Sequence, residues 1–187
     1  MEEKKLVQLS KEGDEEAFAA LVNKYKTKVF HLAFSFTHNR DIADDLTQEA
    51  FIKAYFALPK FQLKSEFGTW LYRITLNHIK DYLRKKGRVK EISLDDLAVS
   101  QEEEIQIKEK EQEEQRRRIL YRSLSELPEK YQSILTLRDI QGISYEDISI
   151  ILKISPGTVN SRLHRARKML RKNIMPFLTK KGGINEM

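Results

Sequence analysis

The sequence predicts an all-α protein of two small helical domains joined by a charged linker, the C-terminal one a helix-turn-helix. Three observations lead there. Apolar residues recur at intervals of three and four along most of the chain, and no stretch alternates with the period of two that a half-buried strand requires. Hydrophobicity drops and charge rises from Arg88 to about Glu114, dividing the apolar pattern into two blocks. Between Gly142 and Lys172 the chain spells two short helices separated by a turn of only two or three residues.

In the first block, Asp14 is read as the N-cap of a segment in which Phe18, Leu21, Val22, Tyr25, Val29 and Leu32 keep helical spacing, until Thr37-His38-Asn39-Arg40 breaks it. Asp41 is read as the cap of a second segment running to about Leu58 and stopped by Pro59. After a polar loop, Gln62 to Glu66, a third helix is expected from Phe67 to Lys86, with Gly87 ending it. The linker's last turns are expected to become helical as they enter Arg116. Ser125-Glu126-Leu127-Pro128 then marks a break and restart, giving a helix through about Ile140. The domain bounds expected are 1–88 and 115–175, with a linker at 89–114 and a frayed tail from Pro176 to Met187. Each lobe is expected to have its own core.

The helix-turn-helix has the strongest local signals. Ser144 caps a supporting helix with Asp147 in its first turn and Ile148, Ile151 and Leu152 at helical spacing. Ser155 is a second cap, Pro156 takes the first helical position where no N–H is needed, and Val159, Leu163, Ala166 and Leu170 form the inward stripe. What remains outward is Asn160, Ser161, His164 and Arg165 amid further lysines and arginines, a face suited to phosphates and base edges of a major groove. The alternative for such a helix is a merely solvated basic face.

Charge distribution supports a polyanionic partner. The 187 residues carry a formal charge of +6. Residues 73–90 hold seven Lys/Arg against Asp81, residues 155–172 hold six against none, and residues 91–114 invert this with ten Asp/Glu against Lys108 and Lys110. Cysteine is absent, which removes disulfides, thiolate catalysis and Cys-type zinc sites. His31, His38, His78 and His164 have no ligand spacing, so neither a metal nor a cofactor is expected. No signal-peptide core or membrane-length apolar run is evident, and a cytoplasmic location is expected.

The order of parts resembles the extracytoplasmic-function sigma factors of bacterial RNA polymerase, over roughly residues 5–172. The likeness is carried by the acidic helix Asp41 to Tyr55, the aromatic-basic helix Phe67 to Asn77, the charged linker, and Leu127-Pro128-Glu129-Lys130-Tyr131 leading into the helix-turn-helix. The resemblance implies that Asp45, Gln48 and Glu49, with Phe51 and Tyr55 beside them, dock on the clamp helices of the polymerase largest subunit. Read without it, that helix is equally a well-capped surface helix, since acids in a first turn suit the helix dipole.

For the start-proximal promoter element the resemblance points to Phe61 and Asn77, at positions lining a pocket for a base flipped from the non-template strand, with the loop Gln62 to Glu66 shaping it. Trp70, Arg73, Lys80 and Arg84 join them, because aromatic planes stack on unpaired bases while cations follow the phosphate chain. Trp70 also fits a plain core position, at spacings of three and four from Phe67 and Ile74. For the upstream element, read as duplex, it points to Asn160, Ser161, His164 and Arg165 on bases and Tyr145, Thr158 and Arg162 on phosphates. The acidic linker corresponds to a connector in the polymerase interior, or else is a solvated spacer. Family members are often held inactive by a membrane-associated anti-sigma factor, and nothing in this chain identifies one.

The function implied is promoter-specific transcription initiation, not catalysis, with core polymerase and both duplex and single-stranded promoter DNA as partners and no small-molecule substrate. The competing reading is a helix-turn-helix regulator of duplex DNA without sigma activity, which needs neither the acidic helix nor a single-strand reader. A nucleic-acid-modifying enzyme would need a carboxylate cluster, a phosphate-cradling glycine loop or an activated nucleophile, and the sequence offers none of these patterns.

Overall fold

The computed structural model describes residues 2–86 and 104–179. Among them are helices and turns and no strand. The first lobe contains α1 (Glu3–Lys11), α2 (Glu15–Thr37), α3 (Arg40–Ala57), a 3-10 turn (Leu58–Lys60) and α4 (Phe67–Lys85). The second contains α5 (Glu104–Ser125), α6 (Glu129–Leu135) running into a π-helical turn (Thr136–Ile140), α7 (Tyr145–Leu152) and α8 (Pro156–Thr179). The expected stop at Gly87, most of the linker and the end of the tail lie outside the described residues.

Three helix starts, those of α2, α7 and α8, follow the caps in the sequence. Asp14 Oδ1 accepts from the Ala17 N–H at 2.9 Å, and Ser144 Oγ accepts from the Asp147 N–H at 3.0 Å. The cap of α3 is a correction. Asn39, not Asp41, accepts from the Ile42 N–H, at 2.9 Å, so Asp41 lies inside the first turn. The preceding His38 is left-handed at φ 51°, which ends α2 and turns the chain, leaving Asn39 in the extended conformation a cap needs.

Pro176 does not begin a frayed tail, because α8 continues through it to Thr179. A proline costs the helix one N–H bond, and here docking on α5 offsets that loss: Asn173 Nδ2 donates to the Ser123 carbonyl at 3.2 Å, and the Arg122 guanidinium lies over the Phe177 ring.

The expectation of separate cores also fails. One cluster belongs to the first lobe alone and gathers Leu21, Tyr25, Val29, Ala50, Leu58 and Leu71 with neighbouring aromatics. The other crosses between lobes, joining Leu32, Phe36, Leu46, Tyr72, Leu76 and Ile79 to Leu124, Ile134, Leu137, Ile148, Val159 and Leu163. The reason lies in α4, whose buried residues include Phe67, Trp70, Leu71, Tyr72, Leu76 and Ile79. An apolar face that wide needs cover on two sides, and one small lobe supplies only one.

Gly68, in the first turn of α4, shows how tightly the first cluster is packed. A Cβ there would lie 2.8 Å from Tyr25 Cε1 and 2.9 Å from its Oη. That ring packs on Phe67 with centroids 5.5 Å apart, and its hydroxyl donates to Glu3 Oε2 at 2.8 Å, so it cannot swing aside freely. Gly68→Ala is therefore expected to lower stability by about 1–3 kcal/mol. Alanine's helix propensity, worth at most about 1 kcal/mol, works in the other direction and does not cancel this. Urea unfolding of the two proteins measures the difference.

Candidate functional site

The candidate residues fall on three surfaces. On α3, Ala43, Leu46, Ala50 and Ala54 are buried, which leaves Asp41, Asp44, Asp45, Gln48 and Glu49 outward. Asp45, Gln48, Glu49, Ile52, Tyr55 and Phe56 continue one another at helical spacing, so they share a single exposed stripe that is acidic at its start and apolar at its end. Phe56 is 76% exposed and Ile52 is 55% exposed. With Phe18, Phe51 and Tyr55 they line a groove of about 380 Å³. Phe51, expected as a neighbouring contact, is buried and lines the groove. Ile52 and Phe56 were not singled out from sequence, although their spacing from Glu49 and Tyr55 was the available signal.

Glu49 is also tied inward. Its Oε2 lies 2.8 Å from His78 Nε2, off the direction a well-aligned ring N–H bond would take, while Lys53 Nζ donates to His78 Nδ1 at 2.6 Å. Burial, and then the Lys53 charge, lower the His78 pKa against the opposing pull of Glu49. With its pKa lowered from 6.5, the ring is neutral at pH 7.

The second surface is α4 with the loop before it. Phe61 and Trp70 stack on each other with centroids 4.7 Å apart and planes 26° apart, and both are buried, at 5% and 8% exposure. For Trp70 the core alternative is the one seen. Phe61, expected to line a pocket for a flipped base, is buried with its ring packed on Phe67 and Trp70. Its carbonyl accepts from Lys11 Nζ of α1 at 2.8 Å, a tie across fifty residues that no sequence signal indicated. Asn77 is exposed and Arg73 half-buried. Lys80 Nζ is held 3.0 Å from Glu129 Oε1 of the second lobe, and Arg84 pairs with Asp81 at 2.8 Å.

The third surface is α8. Val159, Leu163 and Ala166 are fully buried, which turns Asn160, Ser161, His164 and Arg165 outward together. Ser155 Oγ accepts from the Thr158 N–H at 3.2 Å and contacts the Thr158 hydroxyl at 2.8 Å, so cap and candidate phosphate contact form one unit at the helix start. Arg162 is half-buried. Tyr145 lies under the Arg138 guanidinium, 4.9 Å from its ring centroid. Arg167 is bound to Asp139 through two hydrogen bonds, at 2.6 and 3.1 Å, which anchors α8 to the π-helical turn and raises the arginine's pKa further.

These surfaces lie within two matched stretches. Residues 21–89 match the family model for sigma-70 region 2, and residues 117–170 match that for sigma-70 region 4. The chain is 38% identical over 185 residues to the RNA polymerase sigma-H factor of Pseudomonas aeruginosa, covering 95% of this chain and 96% of that one. It is 39% identical over 182 residues to the ECF RNA polymerase sigma-E factor of Escherichia coli K12, covering 92% and 94%. This chain belongs to the extracytoplasmic-function sigma factors. Among solved structures, CnrH in complex with the cytosolic domain of CnrY aligns with a TM-score of 0.69 at 26% identity, over 89% of this chain and 93% of that one.

The sigma factor therefore directs transcription initiation. The acid-free face of α8 lies in its region 4, and the α3 stripe and the α4 surface lie in its region 2. α1, with the Lys11 tie, precedes the region 2 match. Among the described residues the sigma factor has no cluster of three or more potential metal ligands and no helix long and apolar enough to cross a membrane.

Proposed function

We propose that the sigma factor docks core RNA polymerase on the α3 stripe and reads its promoter in two physical forms. The acidic start of the stripe steers and registers a basic partner surface, as expected for the clamp helices of the largest subunit, and the groove at its end takes an apolar anchor. The upstream element is read as duplex, with Asn160 and Arg165 on base edges, Ser161 and His164 beside them, and Tyr145, Thr158 and Arg162 on phosphates. The start-proximal element is read as melted non-template strand by Asn77 and a pocket shaped by the loop Gln62 to Glu66, with Arg73, Lys80 and Arg84 along the backbone. The protein acts as a binding subunit without catalysis of its own, works in the cytoplasm on the nucleoid, and is open to control by an anti-sigma factor.

The observation that carries this reading is the α3 stripe. A regulator that only binds duplex DNA has no use for a carboxylate row continuing into an open apolar groove. Transcription with purified core polymerase on a panel of genomic fragments tests it: discrete start sites that depend on the added chain support it, and their absence, with duplex binding retained, would favour the regulator.

Base reading has its own expected result. Asn160→Ala and Arg165→Ala are each expected to weaken upstream-element binding by about 1–3 kcal/mol and to relax preference at single base positions. Arg171→Ala should weaken all sequences alike. Competition binding against single-base operator variants separates the two patterns.

A further inference from the structure

The loop Gln62 to Glu66 is strung between two fixed points. At its far end Phe67 is buried and the Glu66 carbonyl accepts from the Trp70 N–H at 3.1 Å, in the first turn of α4. At its near end both backbone groups of Phe61 are held: the N–H donates to the Leu58 carbonyl at 2.9 Å, and the carbonyl accepts from Lys11 Nζ at 2.8 Å. Between these points, among the described residues, 62–65 make no backbone-to-backbone hydrogen bond. Leu63, in the middle, is exposed with a left-handed backbone at φ 57°. A side chain of leucine's size reaches that region only at a cost, which persists where the surroundings hold the chain.

We propose that Lys11 is a positioning residue for base selection: its ammonium fixes the carbonyl from which the loop departs and so gives the start-proximal pocket a single shape. The inference deepens the promoter-reading proposal above and rests on it. It extends the strand reader to α1, which lies ahead of the residues 21–89 matched to region 2.

The first argument is that Lys11 is itself held. Val7 and Ser10 bury the inner face of α1. Just beyond Lys11 the Glu12 N–H donates to the Gln8 and Leu9 carbonyls, Gly13 turns the chain at φ 97°, and the Asp14 N–H returns to the Leu9 carbonyl at 3.1 Å before Asp14 caps α2. The half-buried Lys11 stem thus starts from a fixed helix end. Its bond to the carbonyl is charge-assisted, stronger than one between neutral groups.

The second argument is leverage. The Phe61 ring is already locked, stacked 4.7 Å from Trp70 and set edge-on to Phe67 at 6.4 Å. What the ring does not fix is the peptide plane between Phe61 and Gln62, and the Lys11 bond fixes that. Two residues of extended chain reach about 7 Å, so turning this plane by about 15° would move the loop tip by about 2 Å. A site that discriminates between ligands has to be held to about 0.5 Å.

The other role open to Lys11 is a direct phosphate contact. Its ammonium, however, is turned inward onto a backbone carbonyl, whereas Lys60 and Lys64 beside the loop are exposed and better placed to meet a strand's phosphates.

Holoenzyme assembled from the full-length chain and core polymerase provides the test. The probe is a single-stranded non-template oligonucleotide copied from a start site mapped in the transcription assay above, with each start-proximal base substituted in turn and binding read by fluorescence anisotropy. Wild type is expected to prefer one base at one position by roughly tenfold or more. Lys11→Met keeps the stem and removes the donor. It is expected to bring that preference below about threefold while leaving affinity for upstream-element duplex within about twofold. Lys11→Arg, whose guanidinium can donate to the same carbonyl, is expected to keep the preference within about twofold of wild type. Unchanged preference in Lys11→Met would overturn the proposal. A uniform loss of affinity with preference intact and a salt slope smaller by about one would also overturn it, because that is the signature of a phosphate contact. Wild-type holoenzyme with no base preference anywhere in the element would overturn the promoter-reading proposal instead.

Discussion

Reversing Asp45 and Glu49 to lysine should weaken binding to core RNA polymerase at least about a hundredfold, close to 3 kcal/mol. Both carboxylates are exposed on the stripe that also carries Ile52, Tyr55 and Phe56. The change replaces two attractive charges by two repulsive ones, and it should lower the association rate and invert its salt dependence. The two positions are not equivalent. Glu49 lies beside His78, with Lys53 on the other ring nitrogen, so Glu49→Lys also crowds cations at a neutral imidazole. Asp45→Lys alone is the cleaner probe of docking. Phe56→Ala should cost about 1–3 kcal/mol through the groove, by raising the dissociation rate. Surface plasmon resonance on immobilised core polymerase resolves both rates. Wild-type affinity in the doubly reversed protein, with an unchanged melting curve, would remove α3 from the interface.

A second large effect is expected from pH. His38 caps α2 with its Nε2 buried and unpartnered and its ring edge-on to Phe34 and tilted on Tyr121. Burial lowers its pKa from 6.5 to about 4. The unfolded chain therefore takes up a proton at this ring near pH 6.5 while the folded chain does not until about pH 4. Stability from this group is full above pH 6.5 and is lost as pH falls toward 4. Between pH 7.5 and 5 the loss should be about 2 kcal/mol, and His78, whose pKa is also lowered, adds in the same direction. Asparagine tolerates the left-handed backbone and does not titrate, so His38→Asn should flatten most of this slope. Urea unfolding at the two pH values checks it, and a wild-type protein equally stable at both would refute the assignment.

The shared core changes how such experiments are designed. An isolated first lobe would expose Tyr72, Leu76 and Ile79, which the full chain covers. Single-strand binding is therefore best measured in the full-length protein or the holoenzyme, with Asn77→Ala and start-proximal base substitutions reporting on base preference.

Local chemistry in the sequence determined a great deal here. The caps at Asp14, Ser144 and Ser155, the start of α8 at Pro156, and the stripe Val159, Leu163 and Ala166 were all legible, because each depends on neighbours within one or two turns. That stripe alone dictates that Asn160, Ser161, His164 and Arg165 face outward, and the same logic turns the carboxylates of α3 away from Ala43, Leu46 and Ala50. Periodicity could not say what covers an apolar residue or how much of it. Phe51, Phe61 and Trp70 were all candidate contacts, with a core position legible only for Trp70, and packing among α2, α3 and α4 buried all three while leaving Ile52 and Phe56 open. The ties Lys11 to Phe61, Lys80 to Glu129, Thr69 to Asp147 and Gln132 to Ser35 join residues about fifty to one hundred positions apart. Pairing at such separations is set by which apolar faces meet, and the excess width of the α4 face, more than one lobe can cover, is what brought the two lobes together.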